Sequence, residues 1–319
     1  MNWRPTASLS ALQRRAAMLS AAREFFAQRA VLEVETPILS AAAASDPQLE
    51  SLATRIAGIP HEFYLHTSPE YAMKRLLAAG SGDIYQVCKV FRDAERGRWH
   101  NPEFTLIEWY RLGLDDAALM DEVEALVAAL LQPVRQLARA ERLSYASALE
   151  QHAGVDAFKS SDRDLNAAAL RHGIVCDAHL DRDAMLDLLM GLIVGPQLGR
   201  TRPCFICDYP ASQAALARIK PGLPAVAARF ELYLDGVELA NGFHELQDAA
   251  EQRRRFSHDL SVRAERNLPG RPLDERLLAA LQTGLPECAG VALGFDRLVA
   301  LALQADALAG AMAFNIDNA

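Results

Sequence analysis

The sequence predicts an α+β fold, a mainly antiparallel sheet flanked by helices, and three observations carry that expectation. Two strand patterns, Asp83 to Phe91 and Phe104 to Tyr110, are separated only by a charged loop. Two more, Phe230 to Leu234 and Val237 to Phe243, meet at Asp235-Gly236, a dipeptide that readily takes the positive φ of a tight hairpin turn. Long segments of helical periodicity surround both pairs, an arrangement typical of strands joined by hairpins and covered by helices.

The remaining elements follow in chain order. From Ser10 to Arg29 the residues Leu12, Ala16, Leu19 and Phe26 recur at helical spacing, which predicts a helix with that stripe inward. Val31 to Pro37 then alternates Leu32, Val34 and Thr36 with Glu33 and Glu35, as a strand does, and Pro37 ends it. Thr67-Ser68-Pro69-Glu70 matches a capping box, with Thr67 as N-cap and Glu70 three residues on, and Gly80 is placed to close the helix. Helices are expected at Asp116 to Leu131, Asp162 to His172, Arg182 to Val194, Ala249 to Asn267 and Leu273 to Gln282. A short strand at Val291 runs into a last helix from Phe295. The only low-complexity stretch is Ala41 to Ala44.

Composition narrows the function classes. With 319 residues, 51% of them hydrophobic, the chain can bury a core without disulfides, and its five cysteines are odd in number. No secretory leader pattern opens the sequence, and no apolar run approaches the ~20 residues of a membrane span; a cytoplasmic protein is expected. Forty-one acidic against 33 basic residues give a net charge of −8, which speaks against broad binding to a nucleic-acid backbone. There is no Gly-rich loop ending in Gly-Lys-Ser/Thr, no His-Glu-x-x-His and no Gly-x-Ser-x-Gly. Cys204-Phe205-Ile206-Cys207 has metal-ligand spacing, but two cysteines do not complete a four-ligand zinc site, so strand packing is the expectation.

Three segments concentrate chemistry. Arg92 to Phe104 gathers arginines, His100, Asn101 and an aromatic between two strands, suited to phosphate oxygens and a stacked base. Glu238-Leu239-Ala240-Asn241-Gly242-Phe243-His244-Glu245 places two carboxylates seven residues apart. On an ideal strand they face opposite ways, so sharing a face requires a kink, expected at Asn241-Gly242. Such a pair suits Mg²⁺, which takes one or two carboxylates plus substrate phosphates. Gly290 to Arg297 is a glycine-spaced strand-to-helix joint, with Arg297 in the first helical turn, where a cation opposes the dipole and points to a nearby anion.

Together these segments resemble the three motifs of class II aminoacyl-tRNA synthetases: motif 1 in Val31 to Pro37 and its helix, motif 2 from Phe91-Arg92 to Glu108, and motif 3 from Gly290 to Arg297. His100-Asn101-Pro102-Glu103-Phe104, Glu238 to Glu245 and Ser68-Pro69-Glu70 narrow the resemblance to the lysyl branch. Within it the chain is similar to the shortened, protein-modifying paralogues of lysyl-tRNA synthetase, on four grounds: Ser68 in place of alanine, Ala292 in place of glycine, the segments Phe205 to Gln213 and Ala240 to Leu246, and motif 1 so near Met1 that no anticodon-binding OB-fold precedes it.

The resemblance implies a single catalytic domain over residues 1–319 and a homodimer formed through motif 1. It implies activation of (R)-β-lysine with ATP and Mg²⁺, and transfer to a lysine side chain of translation elongation factor P; tRNA is not the expected partner, and composition gives no membrane partner. Arg92 and Arg297 would act on the phosphates, with Phe104 and Arg297 stacking adenine, and Asp93, Ala94, His100, Asn101, Leu239 and Gly294 completing the nucleotide site. Glu238 and Glu245 would hold the metal. Ser68, Pro69, Glu70, Glu108, Tyr110, Asn241, Glu245 and Ala292 would surround the amino acid. The chain departs from the family at Ala94, where motif 2 carries the glutamate that receives the adenine amino group. Two other readings are a free-standing lysyl-tRNA ligase and a non-catalytic paralogue. The acidic charge counts against the first, and the intact Arg92, Glu238, Glu245 and Arg297 count against the second.

Overall fold

A computed structural model describes residues 3–175 and 180–319, so Cys176 lies outside the described residues. The chain divides into two compact units, Met1–Gly113 with Gln247–Ala319, and Leu114–Leu246. Among the described residues no helix is long and apolar enough to cross a membrane.

In the first unit the strands Leu32–Glu33, Ile84–Phe91, Glu103–Leu112 and Cys288–Gly294 lie side by side in that order. The first pair is parallel and the other two are antiparallel. Directly paired residues share a face. One face therefore carries Tyr85, Thr105, Ile107, Trp109, Val291 and Leu293; the other carries Gln86, Phe104, Leu106, Glu108, Tyr110, Gly290, Ala292 and Gly294. The first face is the core side. Phe26, from the helix Leu9–Ala27, stacks on Tyr85 at 4.2 Å and meets Trp109 edge-on at 5.4 Å. Full burial of such a side chain stabilises the fold by about 1.5–3 kcal/mol. Arg15 ties this helix to the sheet and to the last helix, Phe295–Ala302, through Asp296 at 2.5 Å and Thr105 Oγ1 at 2.8 Å.

Several expectations change here. The inward stripe of the first helix is Ala11, Met18, Ala22, Phe25 and Phe26, whereas Ala16 is exposed and Leu12 and Leu19 are only half-buried. Val31 to Pro37 is a strand only at Leu32–Glu33, and Leu32 points outward. Its one sheet neighbour holds two residues and the Val34 amide before the chain leaves. The capping box at Thr67 does not form: the helix is Glu70–Ala78, its N-cap position is Pro69, and Ser68 Oγ receives the Glu70 amide at 3.0 Å.

The second unit orders the strands Val237–His244, Val226–Leu234, Cys204–Pro210 and Glu141–Ser144, with Ile219–Lys220 also pairing with Val226–Leu234. The predicted hairpin forms at Asp235 (φ 54°) and Gly236 (φ 78°), both left-handed as a type I′ turn requires. The predicted helix over Arg182 to Val194 forms as Arg182–Leu189 followed by one π-helical segment, Met190–Val194. Cys204 is buried and Cys207 half-buried in their strand, and burial raises both thiols, to about 12 and about 11. They are packed, unreactive side chains.

Candidate active site

The second face of the first unit's sheet carries Phe104, Glu108, Tyr110, Ala292 and Gly294 of the sequence-predicted residues. Glu108 is 2% exposed, and its two oxygens accept hydrogen bonds from Ser68 Oγ and Tyr110 Oη, each at 2.8 Å. Ala292 pairs with Glu108 in the next strand, flanked by Gly290 and Gly294 on the same face, so only one methyl group rises from that strand beside the carboxylate. A buried carboxylate held by two hydroxyls in a furrow of small residues is suited to a cation. Glu70 lies nearby in sequence to Ser68 and binds the fully buried Lys74 ammonium at 2.7 Å, one turn along their helix.

At the far end of the same strand, Arg92 lies over the Phe104 ring at 5.0 Å. Its Nε donates to the Thr67 carbonyl at 3.4 Å, and its guanidinium approaches Glu95 at 3.5 Å. Arg297 reaches from the first turn of its helix to the motif 2 loop, donating from Nε to the Trp99 carbonyl at 3.1 Å and meeting His100 Nε2 at 2.9 Å. Burial and then the Arg297 charge lower the His100 pKa. A guanidinium can only donate, so in this contact Nε2 is the acceptor and the ring proton belongs on Nδ1. Gly294 is the N-cap position of this helix.

Within the loop, Asp93 receives the Ala94 amide at 2.8 Å, and its own amide is held by the Glu50 carbonyl. Ala94 has φ 60°, a left-handed geometry uncommon for alanine. Asn101 takes a different part from the nucleotide contact expected of its side chain. Its Nδ2 donates to the Glu103 carbonyl at 2.6 Å and its Oδ1 accepts from Ile316 N at 3.0 Å, which makes the side chain a brace between loop and C-terminal segment.

The second unit holds Glu238, Leu239, Asn241 and Glu245. Its strand register corrects the expected kink. Asn241 and Gly242 pair regularly with Glu231 and Phe230; the irregularity lies at Leu239, an extra residue between Ala240, paired with Leu232, and Glu238, paired with Tyr233. That bulge reverses the alternation and brings Glu238, Asn241 and Phe243 to one face, while Glu245 follows the strand's end and bridges to Ala217. Gly242 serves packing: a Cβ there would meet Phe230 Cζ at 2.4 Å. On the Asn241 face, Arg229 donates from Nε to Asn241 Oδ1 at 3.2 Å and from NH1 to the Gln213 carbonyl at 2.9 Å, and pairs with Glu231 at 2.6 Å. Tyr233 Oη completes the set on Glu231 at 2.7 Å.

Arg229 and Glu231 escaped the sequence reading, and Gln213 entered it only as the end of the segment Phe205 to Gln213. The available signal was the alternation of Arg229 and Glu231 with Phe230 and Leu232, two charges on one face of an otherwise apolar strand.

A strand-loop-strand with a loop arginine and a glycine-spaced strand entering a helix match the motif pattern of class II synthetases. The sequence profile of tRNA synthetases class II (D, K and N) matches residues 1–318. The chain belongs to that family. Among curated relatives, it is 49% identical over 324 residues to an elongation factor P--(R)-beta-lysine ligase of Vibrio cholerae serotype O1, covering 100% of this chain and 99% of that protein. Proteins of the same name from Salmonella dublin and Salmonella enteritidis are 49% identical over 323 residues, covering 99% of this chain and 98% of each.

Proposed function

We propose that this protein is an ATP-dependent ligase that activates (R)-β-lysine as its adenylate and transfers it to a lysine side chain of elongation factor P. The observation that carries the reading is the buried Glu108 carboxylate, held by Ser68 and Tyr110 and facing Ala292, a built anionic site for a substrate ammonium. Full-length likeness to relatives of that name supports the choice of acceptor.

The amino-acid carboxylate attacks the α-phosphorus of ATP and pyrophosphate leaves; the acceptor amine then attacks the acyl carbon and AMP leaves. Both steps build charge on oxygen, and preorganised cations are the usual remedy. Arg92 serves the α-phosphate and the substrate carboxylate. Phe104 and Arg297 hold adenine, with His100 fixing the Arg297 guanidinium. Glu238 and Glu245, two carboxylates on and just beyond the bulged strand, are of the donor type Mg²⁺ takes, and the metal would neutralise the polyphosphate when bound. With alanine at position 94, the adenine amino group relies on stacking and backbone.

A homodimer belongs to the same reading. Trp3, Leu9, Leu32, Ile38 and Leu39 are 77%, 72%, 56%, 40% and 38% exposed, all in motif 1 or in the chain next to it. That density of exposed apolar side chains is the mark of a protein–protein surface.

The test is ATP–pyrophosphate exchange with (R)-β-lysine and α-lysine, followed by mass measurement of elongation factor P and of tRNA after incubation. A mass increase on tRNA alone would overturn the protein-ligase reading.

A further inference from the structure

Gln86 stands beside the ammonium site and has no role in the reading so far. It pairs directly with Glu108 in the antiparallel register, as Ala292 does on the other side, so Gln86, Glu108 and Ala292 form one row across three strands with their side chains on one face. Gln86 is 3% exposed, yet its Oε1 is buried with no hydrogen-bond partner. Its amide also hydrogen-bonds the Cys88 thiol two residues along the strand. Native proteins pair some nine in ten buried polar groups, so an orphaned acceptor next to the best-built carboxylate calls for an explanation.

We infer that Gln86 is a further substrate-binding residue, the neutral acceptor that completes the Glu108 site for a primary ammonium. An ammonium carries three N–H donors and no acceptor. Glu108 supplies the charge. Ser68 Oγ gives its proton to Glu108 and receives one from the Glu70 amide, which leaves it one lone pair. Gln86 Oε1 supplies the third acceptor. The same set repels a carboxylate or phosphate, and an apolar group would leave Gln86 Oε1 without a partner. The ligand class is therefore the ammonium end of a diamino acid, and the inference rests on the adenylation reading above.

The experiment measures ATP–pyrophosphate exchange by wild type, Gln86→Met and Gln86→Glu, varying (R)-β-lysine at saturating ATP and ATP at saturating (R)-β-lysine. Gln86→Met keeps the shape and removes the acceptor. It is expected to raise the KM for the amino acid tenfold or more while the KM for ATP stays within twofold. Gln86→Glu, which restores an acceptor, is expected to recover most of that loss. An amino-acid KM within twofold of wild type in Gln86→Met overturns the assignment and makes the orphaned oxygen a water site. If Gln86→Met fails to fold by circular dichroism, Gln86→Asn carries the test: its acceptor is withdrawn by one carbon, and an unchanged amino-acid KM there overturns the assignment equally. Wild-type protein without amino-acid-dependent exchange would overturn the adenylation reading and this assignment with it, whereas an active wild type with an unaffected variant overturns the assignment alone.

Discussion

The Ser68 hydroxyl donates a 2.8 Å hydrogen bond to Glu108, the residue that Ala292 faces from the neighbouring strand. The two positions where this chain follows the shortened paralogues therefore converge on one carboxylate. On the proposed reading Ser68 would act through Glu108, fixing where its charge lies, and Ala292 would set how closely a ligand approaches it.

Substrate preference follows from that convergence. In β-lysine the amino group sits one carbon further from the carboxylate, so a site shaped by Ser68 and Ala292 should favour it over α-lysine. Ser68→Ala with Ala292→Gly is expected to shift preference toward α-lysine by roughly 10- to 200-fold, the range of ~1–3 kcal/mol that one methyl group commands. The measurement is adenylation kcat/KM for both substrates in both proteins. An unchanged ratio would place selectivity elsewhere.

The loop and helix arginines should be functional and dispensable for folding. Arg92→Ala and Arg297→Ala are each expected to lower pyrophosphate exchange by ~10²–10³, with circular dichroism unchanged. Both side chains are only partly buried and bond chiefly to loop atoms.

Acid should weaken nucleotide binding through His100. Its pKa is lowered from the ordinary 6.5 by burial and by Arg297, with Arg92 adding to the effect and Glu95 opposing it. The folded state therefore favours neutral imidazole, and as pH falls below 6.5 the unfolded chain takes the proton first, so stability declines with acidification. Burial lowers His66 as well, in the same direction. Protonated His100 no longer accepts from Arg297, and the KM for ATP is expected to rise toward pH 5. A ligand-binding titration of His100→Gln, whose amide still accepts, should show a flatter pH profile; identical profiles would reject the mechanism.

The Arg229–Glu231 pair should be a strong structural coupling under Asn241. Arg229→Met strands Glu231, which is 7% exposed, and is expected to cost about 3–5 kcal/mol by urea denaturation. Adding Glu231→Leu should recover most of that loss. Full additivity of the two changes would show that the pair is not coupled.

Sedimentation should give about twice the 34.9 kDa chain mass, and Leu32→Glu should shift the protein toward monomer. An active wild-type monomer would sink the dimer reading.

Much of this was legible along the chain. Asp235-Gly236 announced its hairpin because only a few residue types tolerate two successive positive φ angles, and Asp116 to Leu131 bounded its helix to the residue because an N-cap aspartate precedes a continuous apolar stripe. Motif order, the arginines and the carboxylates were likewise in the sequence, since they are matters of residue identity and position alone. Tertiary structure decided what depends on register and on competition for hydrogen bonds. The extra residue at Leu239 changed which side chains share a face, an effect of pairing against Leu232 and Tyr233 that no linear pattern records. Thr67 lost the cap to Ser68 because the Ser68 oxygen lies between the Glu70 amide and Glu108, and Asn101 was claimed by Glu103 and by Ile316, more than two hundred residues away. A side chain's composition says what it can bond; only the folded chain determines which partner arrives first.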